Sequence, residues 1–148
     1  MKLRVLIVDD EPLARERIRS LLADEPDVAV LAECKNGQEA LEAIKMQSPD
    51  LVFLDVQMPG MGGFDVLSAL PQEGMPMVIF VTAFDQHALK AFEVHALDYL
   101  LKPFKQARFK ATLQRAREAL MNQQLDSRQY AYEEGIDRPE IVNWKWPL

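Results

Sequence analysis

The sequence predicts an α/β protein with a doubly wound parallel sheet, and two observations support this prediction. Short apolar runs rich in β-branched residues recur along the chain, as in Val5–Val8, Leu51–Leu54 and Val78–Val81. Segments with apolar residues at helical spacing separate these runs, so strands alternate with helices. Because the runs are apolar at every position, they indicate strands that are buried on both faces, as in a parallel sheet with right-handed crossovers.

Five strands are predicted, and turn-forming residues bound several of them. Pro26-Asp27 separates the first helix from the second strand, and Ser48-Pro49 separates the second helix from the third strand. The predicted strands are Val5–Val8, Val28–Cys34, Leu51–Val56, Met77–Ala83 and Tyr99–Leu101.

Five helices are predicted between and after the strands. The first begins near Pro12, since a proline fits the first helical turn, and the second follows the turn signal Asn36-Gly37. The third, Phe64–Leu70, is short because Pro71 ends it, and the fifth begins at about Lys105. Four of these helices have apolar residues on one face. In the first helix they are Ala14, Ile18, Leu21 and Leu22, and in the second they are Ala40, Leu41 and Ile44. In the fourth helix this face carries Ala88, Ala91, Phe92 and His95, and in the fifth it carries Phe109, Leu113, Ala116 and Leu120.

The composition fits one cytoplasmic domain. The chain has 148 residues, of which 49% are apolar, and this is enough for a single core. Its formal net charge of -6 argues against binding of nucleic-acid phosphates by the domain itself. Cys34 is the only cysteine, so no internal disulfide is expected. The first residues lack the features of a signal peptide, and no apolar stretch is long enough to span a membrane.

Polar residues that suit phosphoryl transfer lie at the ends of four predicted strands. Asp9 and Asp10 follow the first strand, Asp55 lies at the end of the third, Thr82 at the end of the fourth and Lys102 after the fifth. Because an open parallel sheet binds its ligands at the carboxyl ends of the strands, we expect these side chains to meet. Asp55 suits a phosphoryl acceptor, since a carboxylate forms an acyl phosphate that hydrolyses readily. The adjacent acids require a cation, and Mg²⁺ suits carboxylate and phosphate oxygens.

The remaining two residues suit recognition of the transferred group. Lys102 could pair with a phosphoryl oxygen as a point charge, and Thr82 could donate a hydrogen bond to another. A cis bond between Lys102 and Pro103 would direct the lysine toward the acids.

Each residue also has a structural interpretation. Asp10 could cap the first helix, and Asp55 could be an ordinary loop residue. Thr82 alone is typical of a satisfied strand-end hydroxyl, and Lys102 alone of a solvated lysine. The combination is more specific than any member, because stray strand-end acids do not need a threonine and a lysine at the ends of neighbouring strands.

Four segments resemble the receiver domain of two-component response regulators, and the resemblance covers about residues 1–121. They are Leu6–Pro12, Leu54–Gly63, Val81–Ala83 and Asp98–Phe104. The resemblance implies a flavodoxin-like (CheY-like) five-stranded sheet in the order 2-1-3-4-5, with helices on both faces. It also implies phosphoryl transfer from a sensor histidine kinase to Asp55, in a protein that assists its own phosphorylation and dephosphorylation but is not a turnover enzyme.

The same resemblance implies a ligand set for Mg²⁺. The ion would be held by Asp10, Asp55 and the backbone carbonyl of Gln57, with Asp9 acting through water. The phosphoryl group would be contacted by Thr82, Lys102 and the backbone N–H of Ala83.

A switch is also implied. Thr82 would move toward the phosphoryl group, and Tyr99 would turn inward into the space that it leaves. This would change the α4-β5-α5 face, formed by the predicted fourth helix, fifth strand and fifth helix, through which a homodimer is expected. A static edge position for Tyr99 is the structural alternative.

The segment Thr82–Phe104 is similar to the LytR/AlgR type of regulator, which carries a C-terminal LytTR DNA-binding domain. The residues after the fifth predicted helix are too few for a second core, so DNA binding is expected only through an output domain of a longer parent protein. We interpret residues 1–121 as the receiver domain and residues 122–148 as a helix extension and a tail of unknown role. A stand-alone, single-domain receiver in a phosphorelay is the alternative.

Two other functions fit the sequence less well. Phosphatases that resemble the haloacid dehalogenase group place the nucleophile after the first strand in an Asp-x-Asp arrangement, whereas Asp9 and Asp10 are adjacent and Asp55 follows the third strand. An interaction module that has lost its chemistry would not need the complete set of site residues.

The remaining charged candidates have simpler interpretations. His87 and His95 have no acidic partner at ligand spacing, so they indicate surface or dimer contacts rather than a metal site. Arg15, Arg17 and Arg19 of the first helix are expected to form a solvated face, with contact to the kinase as the second interpretation.

Overall fold

The computed structural model describes residues 2–83, 91 and 93–134, and for residues 126–134 the backbone alone. Its strands form one five-stranded sheet in the order β2-β1-β3-β4-β5. Each neighbouring pair is parallel. The strands are β1 (Leu3–Val8), β2 (Val28–Cys34), β3 (Leu51–Leu54), β4 (Met77–Thr82) and β5 (Asp98–Leu101). The predicted doubly wound sheet and its strand order are therefore confirmed.

The described residues include helices α1 (Pro12–Ala23), α2 (Gly37–Gln47), α3 (Gly63–Ser68) and a C-terminal helix (Gln106–Glu134). Pro12 occupies the first turn of α1, as predicted. The Asn36 side chain caps α2 by accepting a hydrogen bond from the Glu39 N–H at 2.8 Å. Within the described ranges, no helix combines the length and the apolar character needed to cross a membrane.

β3 and β4 end earlier than predicted, at Leu54 and Thr82. The Asp55 N–H still donates to the Val8 carbonyl at 3.0 Å, but the chain then turns away from the sheet. The Val56 carbonyl accepts instead from the Gly63 N–H at 2.9 Å, at the start of α3. The turn after Asp55 therefore replaces the last residues of the predicted strand.

Most of the predicted fourth helix lies outside the described residues, including His87, Ala88 and Phe92. Its end is described: the Ala96 N–H donates to the Ala91 carbonyl at 3.1 Å, and His95 has a φ of 62°. A left-handed residue with this bond closes a helix in the manner of a Schellman motif. The prediction that His95 lies on the apolar face of the helix is wrong, because it is an exposed residue just past the helix end.

Helices cover both faces of the sheet, as predicted. Successive strand side chains point to opposite faces, so β1 contributes Val5 and Ile7 to one core and Leu6 and Val8 to the other. The first core also contains buried residues of α1 and the C-terminal helix, namely Ile18, Leu22, Phe109, Leu113 and Ala116. The second contains buried residues of α2 and α3, namely Ala40, Leu41, Ile44, Val66 and Leu67.

An ion-pair network joins the C-terminal helix to β5. Both carboxylate oxygens of Asp98 accept hydrogen bonds from Arg108 at 2.8 Å, and Thr112 donates to one of them at 2.6 Å. Arg115 lies 3.3 Å from the same oxygen. Burial alone would raise the pKa of Asp98, but the hydrogen bonds from Arg108 and Thr112 lower it to about 2.

We expect Asp98→Asn to destabilise the protein at neutral pH. Since the pKa of Asp98 is about 2 in the folded protein against 3.8 for an ordinary aspartate, its charge stabilises the fold above about pH 4. This contribution disappears as the pH falls toward 2. Urea unfolding should show that the variant has a free energy of unfolding about 2 kcal/mol lower than the wild type at pH 7, and that this difference is smaller at pH 3. Asp24→Asn, at an exposed position, is the control. A loss that is the same at both pH values would contradict this assignment of the stabilising charge.

Candidate functional site

The backbone holds the predicted site residues at one edge of the sheet. The Asp9 N–H donates to the Cys34 carbonyl at 3.0 Å, and the Lys102 N–H donates to the Thr82 carbonyl at 2.7 Å. With the bond of Asp55 described above, these contacts continue the pairing of β1, β3 and β5 one residue past each strand. The bond between Lys102 and Pro103 is cis, in agreement with the sequence-based expectation.

The ammonium group of Lys102 lies among three carboxylates. Its Nζ is 2.7 Å from Asp9 Oδ2, 3.2 Å from Glu11 Oε1 and 3.8 Å from Asp55 Oδ2. Burial opposes the charge of the ammonium, but the hydrogen bond to Asp9 and the neighbouring carboxylates outweigh this effect and raise the pKa of Lys102. The lysine is therefore the resident counter-ion of this acid pocket, defined here as Asp9, Glu11, Asp55 and Lys102.

Asp55 is a buried carboxylate in an unfavourable environment. Burial, followed by repulsion from Asp9, raises its pKa to about 6. Lys102 and the hydrogen bond from the Gln57 N–H to Asp55 Oδ1 (3.3 Å) oppose this shift, and Asp10 adds a smaller repulsion. The acid pocket thus contains more negative charge than one lysine neutralises.

The chemistry of the acid pocket fits a hard divalent cation. Oxygen atoms of Asp9, Glu11 and Asp55 all lie within 4.8 Å of one another. Oxygen ligands in this number, supplemented by water, suit Mg²⁺. Asp10 and the backbone carbonyl of Gln57 were also predicted as ligands. The carboxylate of Asp10 is not in the compact group found among the described residues, although its charge reaches Asp55. Gln57 is exposed, and its N–H faces Asp55.

Glu11 was not among the predicted site residues. Its backbone N–H donates to Asp9 Oδ1 at 2.9 Å, and this bond turns the chain so that its side chain reaches Lys102. The structural interpretation of Asp10 as a helix cap is wrong, because Glu11 occupies the N-cap position of α1 and makes no side-chain capping bond. The run of three acids from Asp9 to Glu11 was the sequence signal for this residue.

Besides Lys102, three residues were predicted to contact the phosphoryl group or to switch, and they lie on β4, on β5 or directly after β4. Thr82 is fully buried, whereas Ala83 is exposed at the end of β4. Tyr99 is half-buried opposite Phe80 of β4 and packs on the core under α2 and α3. Asp98 accepts from the Tyr99 N–H at 2.8 Å, and Arg108 donates to the Tyr99 carbonyl at 3.2 Å.

Two of the three α1 arginines, Arg17 and Arg19, are exposed as expected. Arg19 has 57% of its side chain exposed and pairs with Glu33 at 3.5 Å. Arg15 is only 18% exposed and donates to the Asp9 carbonyl at 2.7 Å. Arg17 donates to the Phe104 carbonyl at 3.1 Å. Because α1 begins beside the strand ends, its first arginines reach the loops of the site.

A close backbone contact fixes the loop after Asp55. A Cβ atom on Gly63 would lie 2.5 Å from the Asp55 carbonyl oxygen, so only glycine lets α3 start against the backbone of this residue. Gly63 thus lets the start of α3 lie close to Asp55.

We expect Asp55→Asn to stabilise the metal-free protein above pH 6. The raised pKa means that the ionised carboxylate costs stability, and this cost grows as the pH rises from about 4 to 6. The variant lacks the charge, so its advantage in unfolding free energy should increase by about 2–3 kcal/mol between pH 4.5 and 7.5, measured by urea unfolding in EDTA. Asp24→Asn is again the control. An advantage that does not change with pH would contradict the assignment of Asp55 as the strained carboxylate.

Comparison with known proteins points to one family. Residues 5–114 match the family described as the response regulator receiver domain. The chain is 49% identical over 116 residues to the transcriptional regulatory protein BtsR of Salmonella typhi, a match that covers 78% of this chain and 48% of that protein. It is 51% identical over 113 residues to an uncharacterised response regulatory protein of Yersinia pestis, covering 76% and 48%. The chain thus spans about half the length of these relatives.

Two solved structures have the same fold. The receiver domain of AraT from Geobacillus stearothermophilus is 33% identical, with a TM-score of 0.77 over 84% of this chain and 99% of that one. The response regulatory domain of mrkE from Klebsiella pneumoniae is 30% identical, with a TM-score of 0.74 over 80% and 98%. Together with the matched sequence family, these similarities show that the chain belongs to the response regulator receiver domain family.

Proposed function

We propose that this domain accepts a phosphoryl group on Asp55 from a sensor histidine kinase. The observation that carries the proposal is the position of the Lys102 ammonium, which contacts Asp9 and lies 3.8 Å from Asp55 at the carboxyl ends of the strands. A carboxylate that can act as a nucleophile thus lies next to an ammonium group that can stabilise the negative charge of the transferred phosphoryl group.

Asp55 is a better nucleophile than Asp9 in this pocket. Both oxygens of Asp9 are engaged, Oδ1 by the Glu11 N–H and Oδ2 by Lys102. The nearest contacts of Asp55 are longer, at 3.3 Å to the Gln57 N–H and 3.8 Å to Lys102. The oxygens of Asp55 are therefore held by weaker contacts than those of Asp9. The burial of Asp55 also removes much of the water that would compete with it as a nucleophile.

In the proposed reaction, an Asp55 oxygen forms a bond to phosphorus as the bond between phosphorus and the kinase histidine nitrogen breaks. The histidine leaves with the electron pair of that bond. Lys102 would then pair with a phosphoryl oxygen, and Thr82 and the Ala83 N–H would bind the others. A bound Mg²⁺ would neutralise charge on the transferred group.

For the ligands of Mg²⁺ we retain the set that the family resemblance implies, namely Asp10, Asp55 and the Gln57 carbonyl, with Asp9 acting through water. To this set we add Glu11. Support for Glu11 comes from its carboxylate, which lies in the compact acidic group with Asp9 and Asp55.

The conformational change caused by phosphorylation would be transmitted through β5. The Lys102 N–H bonds to the Thr82 carbonyl, so a shift of Thr82 toward the phosphoryl group would reach both strands. Tyr99 would then turn inward and change the α4-β5-α5 face, which we propose as the homodimer surface.

The DNA-binding output, proposed to be of the LytTR type in a longer parent protein, would respond to this change. Relatives named as transcriptional regulatory proteins support a transcriptional output. In this scheme residues 1–121 are the receiver and residues 122–148 extend beyond it.

Asp55→Asn should abolish labelling by radioactive acetyl phosphate in the presence of Mg²⁺, because the amide oxygen is not a competent nucleophile. The natural chain should saturate near one phosphoryl group per molecule, as expected of an acceptor rather than a turnover enzyme. Asp24→Asn should be labelled normally. If Asp55→Asn took up phosphate at the normal rate, the assignment would be refuted.

Glu11→Gln should weaken Mg²⁺ binding about fivefold, since it removes one charge from the acidic group. Isothermal titration calorimetry of the unphosphorylated protein would measure this. Glu16→Gln, at an exposed position of the same helix, is the matched control and should bind normally. Unchanged affinity in Glu11→Gln together with a loss in Asp10→Asn would contradict the addition of Glu11.

A further inference from the structure

We propose that Arg17 is a positioning residue for Lys102 and that it acts through Phe104. This inference rests on the proposed function, because it concerns the lysine that would bind the phosphoryl group. Residues of α1 and of the loop after β5 are distant in sequence, so their contact is a feature of the fold and not of a local motif.

Arg17 holds the loop that follows Lys102 from the outside. Its guanidinium donates to the Phe104 carbonyl at 3.1 Å, and its Cζ atom lies 5.2 Å from the centre of the Phe104 ring. A guanidinium at this distance over an aromatic face is a cation–π contact. The arginine thus binds both the backbone and the ring of a residue two positions after Lys102.

The same ring also packs against the core. Phe104 stacks on Phe109 with ring centres 5.7 Å apart, and Phe109 stacks on Phe53 at 5.3 Å. Phe53 is fully buried in β3, two residues before Asp55. Phe104 therefore contacts both Arg17 and an aromatic stack that reaches the strand of the acceptor.

Lys102 lies between two anchors of this loop. Its own N–H bonds to the Thr82 carbonyl at 2.7 Å on one side, and Arg17 holds Phe104 on the other. The side chain that emerges between them must keep its ammonium 2.7 Å from Asp9 and 3.8 Å from Asp55. Loss of Arg17 would weaken the anchor at Phe104, and the ammonium would occupy its position for a smaller fraction of time.

The test compares Arg17→Ala with Arg19→Ala. Both substitutions remove one positive charge from α1, but the guanidinium of Arg19 pairs with Glu33 of β2. We expect Arg17→Ala to lower the rate of Asp55 labelling by acetyl phosphate about fivefold, and Arg19→Ala to leave it within a factor of about two. In a Lys102→Ala background, Arg17→Ala should cause no further decrease. Equal rates for wild type and Arg17→Ala, equal decreases for the two arginine variants, or an undiminished effect without Lys102 would overturn the proposal.

Amide hydrogen exchange gives a second measurement that does not need phosphorylation. Arg17→Ala should lower the protection of the Lys102 N–H about fivefold, whereas Arg19→Ala should leave it unchanged. Unchanged protection in Arg17→Ala would overturn the proposal even if labelling is too slow to compare. If the wild type is not labelled at all, the proposed function fails, and the exchange data still decide the role of Arg17.

Discussion

Lys102 and Asp9 meet at 2.7 Å although 93 residues separate them, and the organisation of the site depends on this contact. It forms because β1 and β5 end at the same edge of a parallel sheet. Asp9, Glu11 and Asp55 would otherwise be uncompensated there, and buried like charges are costly. One ammonium cannot neutralise them all, and burial together with repulsion from Asp9 raises the pKa of Asp55 to about 6. The remaining negative charge makes the pocket receptive to a cation.

The surrounding fold holds this arrangement by several independent means. Backbone bonds extend three strands by one residue, Gly63 lets α3 approach the Asp55 backbone, and Arg17 covers the loop after Lys102. At the opposite end of β5, the Asp98 carboxylate accepts hydrogen bonds from Arg108 of the C-terminal helix and from the N–H of Tyr99. The short strand β5 thus connects the acid pocket at one end with the network on the C-terminal helix at the other. A local event at Asp55 can act at a distance only if such an element has two stable positions.

Much of the fold could be predicted because the strands are apolar runs that end in polar residues. The same pattern is sufficient to predict that Asp9, Asp55, Thr82 and Lys102 lie at one edge of the sheet. Glu11 could not be separated from an ordinary acid at a helix start, because its role depends on a turn made by the Asp9 side chain. The contacts of Arg15 and Arg17 with the loops of the site were not predicted, since periodicity shows which face a residue occupies but not where a long side chain folds back.

The function proposed for this domain requires that the transferred phosphoryl group resides on Asp55. The most direct measurement is borohydride reduction of the phosphorylated chain followed by mass spectrometry, because reduction converts an aspartyl phosphate into homoserine at the modified position. We expect homoserine at residue 55 and unmodified aspartates at residues 9 and 10. Homoserine at either of those positions, or a phosphorylated chain with an unmodified residue 55, would contradict the assignment of Asp55 as the acceptor.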